Sequence, residues 1–227
     1  MSSSFILHPY AFPKAAAFGR MVAKGKIYEH AAPTKKVKEL FITQVEKIIW
    51  SYKLSPATIN LPESAGVKEI QIFSVSLKNG DLSHEVLQTV DKAIPSPILF
   101  ELLFNGRTRY VGAYKRPNEA DKSKWIISSY FQSAWIDDDA ERVKLPVVLN
   151  MEALYQAFLT ALSPLRFQKG ENLNDMVVKI DLLGVKEREA EKIEKRMEKE
   201  KQFNRRVEMN RALNELNREI ENLKAEG

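Results

Sequence analysis

The run ILFELLFNGRTRYVGAY, from Ile98 to Tyr114, decides the fold. Its first half is short and apolar, and its second half follows at once across Asn105-Gly106. That dipeptide accepts the positive φ angles of a tight primed turn, so the spacing predicts a β-hairpin with strands Ile98–Phe104 and Thr108–Tyr114. Upstream, Pro95 and Pro97 close a helix over Ser83–Ile94, whose Val86, Leu87, Val90 and Ile94 share one face. Before it, Val67–Lys78 alternates with high β-branched density and ends on the turn Asn79-Gly80-Asp81, which reads as a strand. Downstream, Lys124–Gln132 and Val143–Leu149 fit two more strands. A helix starting at Asn150 then carries the stripe Leu154, Phe158, Leu159, Leu162 and stops at Pro164. Between Lys35 and Tyr52 apolar residues recur at steps of three and four, which predicts a further helix, capped by Thr34 and ended by Pro56. Helix, strand, helix, several hairpin-linked strands, helix: the order is α+β, a largely antiparallel sheet with packing helices.

Two flanking regions read differently. Residues 1–33 are punctuated by Pro9, Pro13, Gly19, Gly25 and Pro33 and are expected to form an irregular N-terminal segment. It is basic: residues 1–60 hold nine Lys or Arg against three acids. After Gly184 no Pro or Gly occurs as far as Ala225, and twelve basic and eleven acidic residues crowd residues 183–227. Some forty helical residues would make a rod of roughly 60 Å. Met209, Leu213, Leu216, Ile220 and Leu223 form a heptad seam, whereas Ala190, Ile193 and Met197 form an offset one, which suits a helix that folds back, bends or changes partner. The expected organisation is therefore an N-terminal segment over 1–33, an α+β domain over 34–182 and a charged helical or coiled-coil region over 185–227.

The chain has 227 residues, 35 Lys+Arg against 30 Asp+Glu, and 44% hydrophobic residues, enough for a buried core. It has no cysteine, which excludes disulfides, thiolate metal sites and Cys nucleophiles. With no apolar run long enough to span a bilayer and no secretory pattern at Met1–Pro9, a cytoplasmic location and no membrane partner are expected. Phosphate-loop, dinucleotide, nucleophile-elbow and metalloprotease motifs are all missing, and His8, His30 and His84 lie in separate segments. No catalytic residue, cofactor or metal is expected. Asp137-Asp138-Asp139 reads as an exposed turn before it reads as a cation site. Glu101, inside an apolar strand, needs a partner, and Arg109 across the hairpin is one candidate. A metal-dependent nuclease would want a Lys two residues beyond such a carboxylate; Glu101-Leu-Leu and Glu69-Ile-Gln both lack it.

Two surfaces are candidates for binding. Lys24, Lys26, Lys35 and Lys36, with Arg107, Arg109, Lys115 and Arg116 interleaved with Tyr110 and Tyr114, suit phosphate contact and stacking. The same pattern also suits a solvated β-edge. On the C-terminal helix, Phe203, Arg206, Met209, Asn210, Leu213, Leu216, Ile220 and Leu223 are the candidate partner face.

Several blocks, Phe12-Pro-Lys, Leu40–Pro56, Val67–Phe73, Ile94–Phe100, Tyr110–Lys115 and Lys201–Asn210, together resemble a prokaryotic family known as domain of unknown function 4391. The resemblance brings no established reaction and no catalytic residues. It implies a setting beside DNA helicases and DNA methyltransferases, in restriction-modification and phage-defence loci. The expected function is thus an accessory, non-enzymatic component of a bacterial DNA-processing or phage-defence system. It would bind a helicase or methyltransferase partner, or a second copy of itself, through the C-terminal helix, with DNA as a further candidate. The alternatives are a metal-dependent nuclease and a self-associating scaffold.

Overall fold

Asn105 and Gly106 both adopt positive φ, 49° and 69°, and close the predicted hairpin. The computed structural model describes residues 8–118, 121, 125–163, 165 and 173–225. They fall into two compact units, Met1–Ser163 and Pro164–Gly227. In the first, the chain runs β1 (Tyr10–Ala11), a 3-10 turn at Lys14–Ala16, β2 (Ala17–Met21), α1 (Lys24–Ala31), α2 (Lys35–Gln44) and β3 (Val45–Leu54). It continues through α3 (Pro56–Ile59), β4 (Ile70–Leu77), α4 (His84–Ala93), β5 (Ile98–Phe104), β6 (Arg107–Pro117) and β7 (Trp125–Gln132). The short β8 (Ile136–Asp137) and β9 (Val143–Lys144) precede α5 (Met151–Leu162). The main sheet is ordered β2-β3-β4-β5-β6-β7, with β8 beside β6. All its pairs are antiparallel except β4–β5, which is parallel and bridged by α4, so the expected largely antiparallel α+β architecture stands.

Three expectations are corrected. The segment before Pro33 is not irregular where it is described: it holds β1, the edge strand β2 and helix α1. The helix predicted over Lys35–Tyr52 ends at Gln44, and Val45–Leu54 is a strand. Register slips between Val45 and Lys47 and between Trp50 and Tyr52 mark bulges in that strand. Each bulge inserts a residue and shifts the in–out parity, so a period of two takes on the steps of three and four that suggest a helix. Third, only Val143–Lys144 of the predicted fifth strand pairs, in parallel with Tyr10–Ala11; past Pro146, Val147 and Leu149 are exposed. Lys124 and Pro164, the expected start of β7 and stop of α5, lie outside the described residues.

The two faces of the sheet are covered differently. Phe73, Val75, Phe100, Leu102 and Val111 form one core with Phe41 of α2 and with Val86, Leu87 and Val90 of α4. On the other face α5 crosses β6 so closely that a Cβ at Gly112 would meet Leu162 at 3.3 Å and Leu159 at 3.4 Å. There the Tyr155 hydroxyl donates to the carbonyl of Ala113 and accepts from the Lys115 amide at 3.0 Å. It thereby satisfies the register shift between Ala113 and Lys115. The extra residue lies in β7, where three steps face two along β6, so β6 keeps its alternation and Lys115 its place on the side of Val111. Lys115, a candidate phosphate contact by sequence, is 2% exposed, and its ammonium sits under the C-terminus of α4. It donates to the carbonyls of Asp91, Ile94 and Ser96 and lies 3.6 Å from the Asp91 carboxylate. These include carbonyls that a helix end leaves without intrahelical partners. Tyr130 donates to the same carboxylate. Burial pushes the Asp91 carboxyl up to about 6, against the pull of Lys115 and Tyr130.

In the second unit α6 (Leu173–Lys199) and α7 (Phe203–Ala225) are separated by Glu200–Gln202, so the C-terminal helix folds back rather than running straight. Lys186–Glu219 at 2.5 Å and Glu187–Lys224 at 3.2 Å tie the two helices antiparallel. The division between units follows Ser163 rather than residue 182, because α6 starts at Leu173 and carries Gly184 within it. Among the described residues no helix is long and apolar enough to cross a membrane.

The buried ion pair generates a stability prediction. Lys115→Met strands Asp91 and the α4 carbonyls and should cost about 3–5 kcal/mol in chemical denaturation. Adding Asp91→Asn should recover part of that loss, because the uncompensated charge is gone; two additive losses would show that the pair is not coupled.

Candidate functional site

Sheet register places one residue of three adjacent strands side by side: Ser74 of β4, Glu101 of β5 and Tyr110 of β6. Ser74 Oγ donates to Glu101 Oε2 at 2.8 Å and the Tyr110 hydroxyl donates to Oε1 at 3.1 Å, so both carboxylate oxygens are met. The row continues outward: the hydroxyls of Ser51 and Ser74 are 2.6 Å apart, and the Tyr10 amide donates to the Tyr110 hydroxyl at 2.9 Å. Arg142, just before β9, donates to the Tyr10 carbonyl at 3.0 Å and so holds β1 over the row. Thr108 Oγ1 donates to Asp138 Oδ1 at 2.6 Å.

All of these except the fully buried Tyr110 line a cleft of about 760 Å³ with Phe12, Phe18 and Tyr52. The Phe12 and Tyr52 rings are 4.8 Å apart, and the Arg20 guanidinium lies 4.8 Å from the Phe18 ring centre. Glu101 is 7% exposed; burial raises its carboxyl above the ordinary range, opposed by the Ser74 and Tyr110 hydrogen bonds and the Arg142 charge, while Asp138 adds to the rise. The Tyr110 phenol is also pushed up, by burial and the neighbouring carboxylate. A concave, partly aromatic site with convergent polar groups and perturbed acids has the makings of a ligand site. Among the described residues no three His, Cys, Asp or Glu side chains gather to hold a metal. Glu69, the other carboxylate weighed for nuclease chemistry, is taken up by Lys53 at 2.7 Å, Gln71 at 2.5 Å and Ser96 at 3.0 Å.

The sequence singles out Glu101 and the Asp137–Asp139 run separately, and the fold brings Glu101 and Asp138 to one cleft. Arg109 is not Glu101's partner: it pairs in register with Leu102, on the opposite face, and its guanidinium sits 4.4 Å from the Trp135 ring centre. The serines, Tyr10 and Arg142 escape a reading of the sequence. The alternation of Ser74 and Ser76 with apolar neighbours in β4 is the available signal, because a hydroxyl facing a sheet interior needs a partner.

The predicted basic surface disperses. Lys24 donates to the carbonyls of Phe41 and Val45, Lys26 pairs with Glu29 at 2.8 Å, and Lys36 lies 3.5 Å from Glu85. Lys35 and Arg107 are exposed, Arg116 is half-buried and Lys115 is withdrawn into the core. The predicted partner face splits. Glu219 and Lys224, both bonded to α6, bracket the stripe of Met209, Leu213, Leu216, Ile220 and Leu223 on the helical wheel, so that stripe faces α6. Leu213 and Ile220 are buried; Phe203, Arg206 and Asn210 stay exposed.

A sequence model of the family described as Domain of unknown function (DUF4391) matches residues 11–220. No curated protein and no solved structure matches the chain.

The raised Glu101 carboxyl fixes a sign for pH dependence. A folded-state value above the unfolded one favours folding at low pH, and that contribution is lost as pH rises through the folded value. Glu101→Gln carries no such penalty. In thermal melts across pH 4–8 its melting temperature should gain on wild type as pH climbs from about 4.3, the ordinary glutamate value. A constant difference would mean that Glu101 titrates as an exposed acid does.

Proposed function

The chain belongs to the family of Domain of unknown function (DUF4391), and from that premise we propose an accessory, non-enzymatic role in a bacterial DNA-processing or phage-defence system, exercised by binding a helicase or methyltransferase partner. The observation that carries this reading is the apolar surface left over by the helical hairpin. Its inner stripe is used by α6 against α7, yet Val178, Leu182 and Val185 are 66%, 43% and 45% exposed on α6, at spacings of four and three. On α7, Phe203 and Val207 are 78% and 52% exposed, with Arg206 between them. A helix that is apolar on more than one side normally has more than one neighbour. DNA is the second partner in this reading, met by exposed cations such as Lys35 and Arg107, and any such complex should weaken steeply with salt.

Metal-dependent nuclease chemistry fits less well, because Glu101 and Glu69 are both held by hydroxyl, amide or ammonium donors. Co-expression with the products of the genes that flank its own tests the proposal. Wild type should co-elute with a helicase or methyltransferase among them, and Leu182→Asp with Val185→Asp should abolish co-elution without lowering the melting temperature. If no such enzyme co-elutes, the role falls. A wild-type dimer that the double variant turns into a monomer, by light scattering, would favour the self-associating scaffold instead.

A further inference from the structure

The cleft around Glu101 lies in the first unit and plays no part in the partner-binding reading above, which rests on the second. Its lining combines three features that few ligands satisfy together. There are flat aromatic faces at Phe12, Phe18 and Tyr52; carboxylates at Glu101 and Asp138 beside the hydroxyls of Ser51 and Ser74; and a guanidinium at Arg142. A hydrocarbon would take the charges of Asp138 and Arg142 out of water and offer no hydrogen bond beyond those they already make to Thr108 and Tyr10. A divalent cation lacks its ligand set among the described residues. A bare inorganic anion would meet two carboxylates for one cation. A planar heterocycle with ring and exocyclic donors, joined to a phosphate, meets all three requirements.

We propose that this cleft binds one nucleotide unit, its base against the Phe12–Tyr52 wall with the hydrogen-bonding edge toward Glu101 and Asp138, and its phosphate at Arg142. The volume of about 760 Å³ suits a ligand of this size. Stacking on aromatic side chains is tolerant of base identity, so discrimination falls to the carboxylates and hydroxyls. Glu101 suits that role because Ser74 and Tyr110 hold it in place and burial biases it toward its protonated form. It therefore accepts a hydrogen bond from an exocyclic amine when ionised and donates one to a ring nitrogen or carbonyl when protonated. The same chemistry is offered by a free mononucleotide and by one base of a single strand.

Isothermal titration of the full chain with dAMP, dCMP, dGMP and dTMP in turn, and with a single strand of about ten nucleotides, separates these two sources. Binding of a mononucleotide supports the free ligand, and binding of the strand alone supports a base held within a polymer. In either case Phe12→Ala or Tyr52→Ala should weaken binding about tenfold. Arg142→Ala should weaken the phosphorylated ligand and leave the matching nucleoside unaffected. Glu101→Gln preserves shape and should change the order of preference among the four bases. The proposal is overturned if none of the five ligands binds, or if binding survives the aromatic and arginine substitutions unchanged. The second-unit variants used for the partner test leave this cleft intact, so failure of one proposal does not imply failure of the other.

Discussion

A carboxylate in the middle of an apolar strand is tolerable only if the neighbouring strands bring it donors. Glu101 gets one on each oxygen, and both come from residues that sheet register places directly beside it. The parallel step from β4 to β5, with α4 as its bridge, brings Ser74 there; the tight turn at Asn105-Gly106 brings Tyr110. Slipping either strand by one residue would turn Glu101 toward the helix-covered core or strip it of its donors. The buried carboxylate thus depends on the register, and the register on the turn and the crossover. The segments that pack over this row, β1 and the stretch around Arg142, complete the cleft.

The opposite face answers the same problem with a cation. Lys115 shares the strand parity of Val111, whose side chain lies in the core that α4 covers, and it is held there by carbonyls at the end of α4 and by Asp91. One ionisable group on each face is paired inside the fold, and the two pairings pin α4 to the sheet and β5 between its neighbours. Both are arrangements in which losing one partner is worse than having neither.

The second unit follows a different rule. A single helix with a narrow apolar stripe and balanced charges is marginal in water. Folding back lets Leu213 and Ile220 be buried while Lys186, Glu187, Glu219 and Lys224 close the flanks. The apolar residues that this pairing does not use remain exposed, at Val178, Leu182, Val185, Phe203 and Val207.

Local chemistry is legible wherever one residue type forces one geometry: Asn105-Gly106 the hairpin, Ser83 and Asn150 the caps of α4 and α5, Pro95 the stop of α4. It misleads at β3, where two bulges disguise a strand as a helix, and at Lys115, whose sequence neighbours suggest an exposed edge. The α+β class, the hairpin and the change of character after Gly184 were determined by the chain's own pattern of apolar, turn and charged residues. The cleft was decided by tertiary structure alone. Its contacts join Tyr10 to Tyr110 across 100 positions and Arg142 to Tyr10 across 132, separations over which no local periodicity carries information. Only the pairing of strands brings those groups within hydrogen-bonding reach.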